Sequence, residues 1–343
     1  MPRRTQGIAA AAPNDAAQVR AVTDPQPGAR EFELIDRIRR RVHARDDVVL
    51  GIGDDAALLH VPAGKLLVVA ADTLNAGVHF PEDTAPADVG WKALAVNLSD
   101  LAAMGAEPAW CTLSLSLPGG DARWVDGFVD GFLELAHTHH VALIGGDTTR
   151  GPLSISVTVH GFIAPGRALR RDAARVGDDI WVSGTPGDAA GALAQWRDGS
   201  TRDAFLRSRL DRPTPRLALG AGLVDVANAC IDVSDGLLAD LAHICRASGV
   251  GARVETDRLP ASDALRVAFD AQARRVLQAT GGDDYELCFT APSDLRDEIE
   301  RIARKAGAPV ARVGCIEAGE GVRAFDAQAR QWQPDRKGYQ HFE

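Results

Sequence analysis

Carboxylates punctuate the apolar runs of this chain. "KLLVVAAD" ends in Asp72, "VALIGGDTT" carries Asp147, "IDVSDG" carries Asp232 and Asp235, "DDVVLGIGDD" runs into Asp54 and Asp55, and "GGDDYE" holds Asp283 and Asp284. Asp100 adds one from inside the apolar stretch "KALAVNLSDLAAMG", with Leu98, Leu101 and Met104 about it. A carboxylate taken out of water without a partner costs on the order of several kcal/mol. A fold that collects these positions must therefore bring cations to them. Any one Asp also suits a turn or a helix N-cap, Asp235 in "SDGLLADL" most of all. Read together, the set points to Mg2+, which takes hard oxygen ligands and shares carboxylates with substrate phosphates.

Around these positions strands and helices alternate. "EFELIDRIRRRV" has helical spacing, "KLLVVAAD", "AWCTLSLSLP" and "PLSISVTVHGFI" read as strands, and "PADVGWKALAVNLSDLAAMGAEP" predicts a helix of about five turns from near Pro86. "DIWVSGTPGDAAGAL" and "ACIDVSDGLLADLAHICRASG" each predict strand, turn and helix, and "LRDEIERIARKAG" an amphipathic helix. The expected class is α/β (α+β) in two domains. The polar, basic stretch "APGRALRRDAARVGDD" marks the boundary, giving 31–165 and 166–343, and the Ala- and Pro-rich residues 1–30 read as a disordered tail.

Several function classes drop out. "GIGDDA" has the glycine spacing of a dinucleotide fingerprint, but two carboxylates would repel a pyrophosphate seated on bare amides. The Lys-containing phosphate loop of P-loop enzymes does not occur. A net charge of −9 argues against nucleic acid held on a basic surface. No run approaches the ~18 apolar residues that span a bilayer, and the five scattered cysteines form no C-x-x-C pair, so a reducing cytoplasm and buried thiols are expected.

"GIGDDAALL", "ADTLNAGVHF", "KALAVNLSDLAAMGAEPAW", "LIGGDTTRGPL", "VSGTPGDAAGAL", "IDVSDGLLADL" and "GGDDYELCFT", in this order from about Phe32 onward, resemble the thiamine-monophosphate kinase family. That family shares a superfamily with aminoimidazole ribonucleotide synthetase and selenophosphate synthetase. The resemblance implies ATP-dependent phosphorylation of thiamine monophosphate to thiamine diphosphate, with ATP as co-substrate and several Mg2+. It also implies a homodimer whose N-terminal sheets join into a barrel. Asp55, Asp72, Asp100, Asp147, Asp232 and Asp235 correspond to metal positions, Asp147 and Asp232 being central to metal-assisted catalysis without a general base. Gly146, Asp147, Arg171 and Ser234 correspond to nucleotide contacts, and His79, Asp283 and Tyr339 to the thiamine side. Arg171 and Lys92 are the basic groups expected to help neutralise phosphate.

The chain departs from the family pattern twice. Ala70 and Ala71 stand where Ser or Thr often precedes the Asp of "ADTL", and Asp283 replaces a common Glu. The rival readings are another ATP-using synthetase of the superfamily and a nucleotide-binding paralogue without turnover. Selenophosphate synthetase would require a reactive Cys near the N-terminal glycine-rich segment, and the first cysteine is Cys111.

Overall fold

The structure, a computed structural model, describes residues 30–200, 203–336 and 338–339. The tail expected at 1–30 lies outside the described residues, Arg30 excepted. The first half runs α1 (Glu31–Arg39), β1 (Val48–Leu50), β2 (Leu58–Leu59), β3 (Leu66–Asn75), α2 (Pro86–Ala103), β4 (Glu107–Leu117), α3 (Ala122–Thr138), β5 (Ala142–Arg150) and β6 (Ser154–Ile163). The second runs β7 (Asp179–Ser183), α4 (Asp188–Asp198), α5 (Ala204–Asp211), α6 (Leu217–Leu223), β8 (Ala229–Val233), α7 (Leu237–Ser248), β9 (Gly251–Glu255), α8 (Asp263–Ala268), α9 (Ala271–Thr280), β10 (Glu286–Ala291), α10 (Arg296–Ala306), β11 (Val310–Glu317), β12 (Gly321–Phe325) and β13 (Gln331–Trp332).

Each half builds one principal sheet, so the expected α/β architecture is the one adopted. The first has four strands in the order β3-β6-β4-β5, antiparallel except for the parallel pair β4 and β5. The second has seven, β13-β12-β9-β11-β7-β10-β8. In the four-stranded sheet the side chains alternate between faces. Leu74, Ile155, Val157, Leu113 and Leu115 are buried on the face that α2 and α3 cover. Thr73, Ser156, Ser114 and Asp147 form an in-register row on the other face, where the Thr73 and Ser156 hydroxyls lie 2.7 Å apart. β3 and β5 are edge strands of an open sheet.

Helix α2 is apolar nearly all round, and its position explains why. One side packs on the four-stranded sheet and α3, the other on α6 and β8 of the second half. The largest core is therefore shared between the halves, with Leu98, Phe128 and Val157 in the same cluster as Leu219, Cys230 and Phe289. Among the described residues no helix is long and apolar enough to cross a membrane. All five cysteines are free thiols, four of them buried.

Four aspartates sit differently from the strand-end reading. Asp72 and Asp147 lie within β3 and β5, and Asp283 and Asp284 precede β10 instead of ending a strand. Edge strands explain the first two, because an edge leaves one side of the chain open to water and tolerates a charge in mid-strand.

Candidate active site

The junction between the halves encloses a cleft of about 950 Å3. β3 contributes Asp72, the turn after it His79, α2 Asp100, the loop after β8 Ser234 and Asp235, and β8 itself Asp232. Arg171, Asp283 and Tyr339 complete the set of expected residues on its walls. Asp55, Gly146 and Asp147 do not line it. Asp54 and Asp55 are exposed in the loop between β1 and β2, where the Asp55 N–H donates to Asp54 Oδ1 at 2.8 Å. Asp147 belongs to the opposite face of the sheet from Asp72, by the register above. Gly146 is fixed by close approach of β4: a Cβ there would stand 1.8 Å from the Leu113 carbonyl oxygen.

Three cleft carboxylates crowd one another, and one guanidinium, Arg171, acts on two of them, Asp100 and Asp232. Burial, then the charges of Asp232 and Asp72, push Asp100 up to about 8, against the opposing pull of Arg171. Burial raises Asp232 to about 6, with Asp72 adding to it, while the Ser99 hydroxyl, donating to Oδ2 at 2.9 Å, and Arg171 hold it down. Asp72 is also raised, by lost hydration, with His79 opposing. The folded chain thus keeps protons that the unfolded chain, with carboxylates near 3.8, has already released. Stability contributed here falls as pH rises, through about 6 and then about 8.

Such a surplus of negative charge fits hard divalent cations. Among the described residues no three His, Cys, Asp or Glu side chains are gathered closely enough to hold a metal alone. Mg2+ does not demand that, since it keeps several waters and binds through one or two carboxylates plus substrate phosphates.

The first half, over residues 53–163, matches the family of AIR synthase related protein, N-terminal domain, and residues 175–327 match its C-terminal domain. The chain is 49% identical over 320 residues to the thiamine-monophosphate kinase of Salmonella typhimurium, covering 91% of this chain and 98% of that one. The chain belongs to the thiamine-monophosphate kinase family. The crystal structure of thiamine-monophosphate kinase from Stenotrophomonas maltophilia K279a is 58% identical, with a TM-score of 0.81 over 86% of this chain and 96% of that one. A solved AaThiL complexed with AMPPCP and TMP is 33% identical, with a TM-score of 0.72 over 91% of this chain and 97% of that one.

In this member of the family, several residues that position the cleft escape sequence reading. Asp240, in the first turn of α7, accepts the N–H groups of Ser234, Asp235 and Gly236 at 3.0, 3.1 and 3.0 Å, so it shapes the loop after β8. Gly236, not Asp235, is the helix N-cap, which corrects the capping role open to Asp235. Asn97 accepts the Asp72 N–H at 2.9 Å and with Ser99 forms the polar seam of α2. The visible signal was there: Asn97, Ser99 and Asp100 interrupt the apolar second half of α2. Lys92 departs from its expected role, being 1% exposed and absent from the cleft wall, with its ammonium already engaged by protein.

Proposed function

We propose that this chain transfers the γ-phosphoryl group of ATP to thiamine monophosphate, yielding thiamine diphosphate and ADP. The observation that carries the reading is the group Asp72, Asp100 and Asp232 facing one cleft with Arg171, in a chain so close to named thiamine-monophosphate kinases. The AaThiL relative holds an ATP analogue and TMP together. The acceptor's second pKa is near ~6, so its phosphate is already anionic and no side chain need remove a proton. A phosphate oxygen attacks the γ-phosphorus as the bond to ADP breaks. Bound Mg2+, several ions in this reading, would neutralise the phosphates and polarise the transferring group.

Asp72, Asp100, Asp232 and Asp235 would each contribute to holding the Mg2+ ions from within one chain, with water and substrate phosphates completing the coordination. Arg171 and Ser234 would take the nucleotide, and His79, Asp283 and Tyr339 the thiamine end, where Leu193, Val276 and Leu277 offer apolar wall. Asp55, Asp147 and Gly146 stand outside the cleft of their own chain and are assigned to the metal and nucleotide only within a homodimer. The two edges of the open sheet, with Leu66, Leu67 and Val69 exposed on β3, support that assembly. The division at 165/166 separates the two sheets in the same reading. Ala70 packs against the core and Ala71 is exposed, so any ligand they supply is a backbone carbonyl.

The test is incubation with Mg2+, ATP and thiamine monophosphate, followed by chromatography. Thiamine diphosphate and ADP are expected in equal amounts. ATP binding without product would favour the paralogue lacking turnover and overturn the assignment.

Proton and metal compete for the same carboxylates, which gives a second expected result. Adding millimolar Mg2+ should raise the melting temperature more at about pH 9, where the carboxylates repel as anions, than at about pH 5. Asp100→Asn should shrink that difference. An Mg2+ effect independent of pH would count against these carboxylates as the binding groups.

A further inference from the structure

Lys92 lies in the middle of α2 with its side chain sealed from water. Its Nζ donates to the His79 backbone carbonyl at 2.9 Å and stands 3.0 Å from Asp283 Oδ1. That same oxygen accepts the Tyr285 hydroxyl at 3.1 Å. His79 belongs to the turn after β3 and Asp283 to the loop before β10, so one ammonium joins walls of the cleft supplied by different halves of the chain.

The loop it holds is not at rest in a common conformation. Asp283 and Tyr285 have φ of +69° and +50°, a region unfavourable to a non-glycine residue that persists only where the surroundings impose it. The imposed contacts are visible. The Asp283 N–H donates to the Ser234 carbonyl at 2.9 Å, the Tyr285 N–H to the Val233 carbonyl at 2.8 Å, and a Cβ on Gly282 would come within 2.5 Å of the Ser234 oxygen. A buried ammonium without a counter-charge is strongly disfavoured, so the ion pair fixes the Asp283 side chain as firmly as these bonds fix its backbone.

We propose that Lys92 is a positioning residue. It sets the His79 turn and the Asp283 loop at one separation and thereby determines affinity for thiamine monophosphate, touching neither that substrate nor ATP. The inference rests on the function proposed above. Its test compares Michaelis constants for the two substrates in Lys92→Met, which keeps the side chain's length and removes its charge. KM for thiamine monophosphate should rise about tenfold or more, as expected when a binding wall loses its support, while KM for ATP stays within about twofold. Tyr285→Phe, which removes one bond to Asp283 and keeps the ion pair, should give a smaller rise for the same substrate. Should Lys92→Met not fold, Lys92→Arg, which keeps a charge but changes the reach between His79 and Asp283, decides the matter by the same two Michaelis constants.

Equal rises for both substrates, a fall in kcat alone, or unchanged constants would overturn the positioning role and leave the function standing. Absence of thiamine diphosphate from the wild type would overturn both.

Discussion

Asp232→Asn is expected to lower kcat for thiamine diphosphate formation about a thousandfold while leaving the fold intact or firmer. The carboxylate is 5% exposed at the end of β8, and Asn matches its shape and can keep the bond from Ser99. What disappears is a charge. Metal-centred stabilisation of phosphoryl transfer is worth several kcal/mol, and each ~1.4 kcal/mol is a factor of ten in rate, so three decades is the expected scale. Without Mg2+ the same substitution removes a buried anion that repels Asp100 and Asp72, so the melting temperature should hold or rise above about pH 6. Opposite signs in activity and stability separate a ligand from a scaffold residue. A kcat within tenfold of wild type would remove Asp232 from the metal site, and a drop in melting temperature that parallels the lost activity would mark it as structural.

How far the sequence foretold this depends on the range of the interaction involved. The strands β3, β4 and β6 and the helices α2, α7 and α10 are legible because a period of two or of 3.6 residues is a local property. The aspartates of the cleft could be named because a charge beside apolar residues demands an explanation wherever it falls. Their separation into two groups could not be named. Whether Asp147 shares a face with Asp72 is decided by the register of four strands, in which β5 and β3 are three positions apart. Asp240 was missed because it caps a loop from inside the following helix, whereas capping signals are sought before the helix begins. The ammonium of Lys92, which as a bare charge suggested phosphate, is claimed by a carboxylate almost two hundred residues further along the chain, a pairing no local pattern encodes. Helices α5 and α6 lie in a stretch with little periodic signal, and their main task is set by a partner some 70 residues further along.

That partner is Glu286, and its removal is expected to be the costliest single change to stability. Glu286 opens β10 with no exposed surface. Arg209 of α5 donates to Oε1 at 2.6 Å, Arg216 at the start of α6 donates to Oε2 and Oε1 at 2.6 and 2.5 Å, and the Ser183 hydroxyl donates to Oε2 at 2.5 Å. One carboxylate thus anchors two arginines that are themselves almost wholly covered. Replacing it by Gln preserves volume and leaves both guanidinium groups short of charge, a defect worth about 3–5 kcal/mol when a buried pair loses one partner. Asp188 and Asp284 lie near enough to act electrostatically on Arg209, and burial raises both, Asp284 furthest, so neither is a ready substitute anion. Urea unfolding of Glu286→Gln should therefore show a midpoint far below wild type, or no folded baseline at all. Glu298→Gln supplies the contrast: its partner Arg301 is on the surface of α10, where water and salt screen the pair, and the midpoint should not move. Comparable shifts in the two variants would mean that burial is not what makes the Glu286 cluster matter.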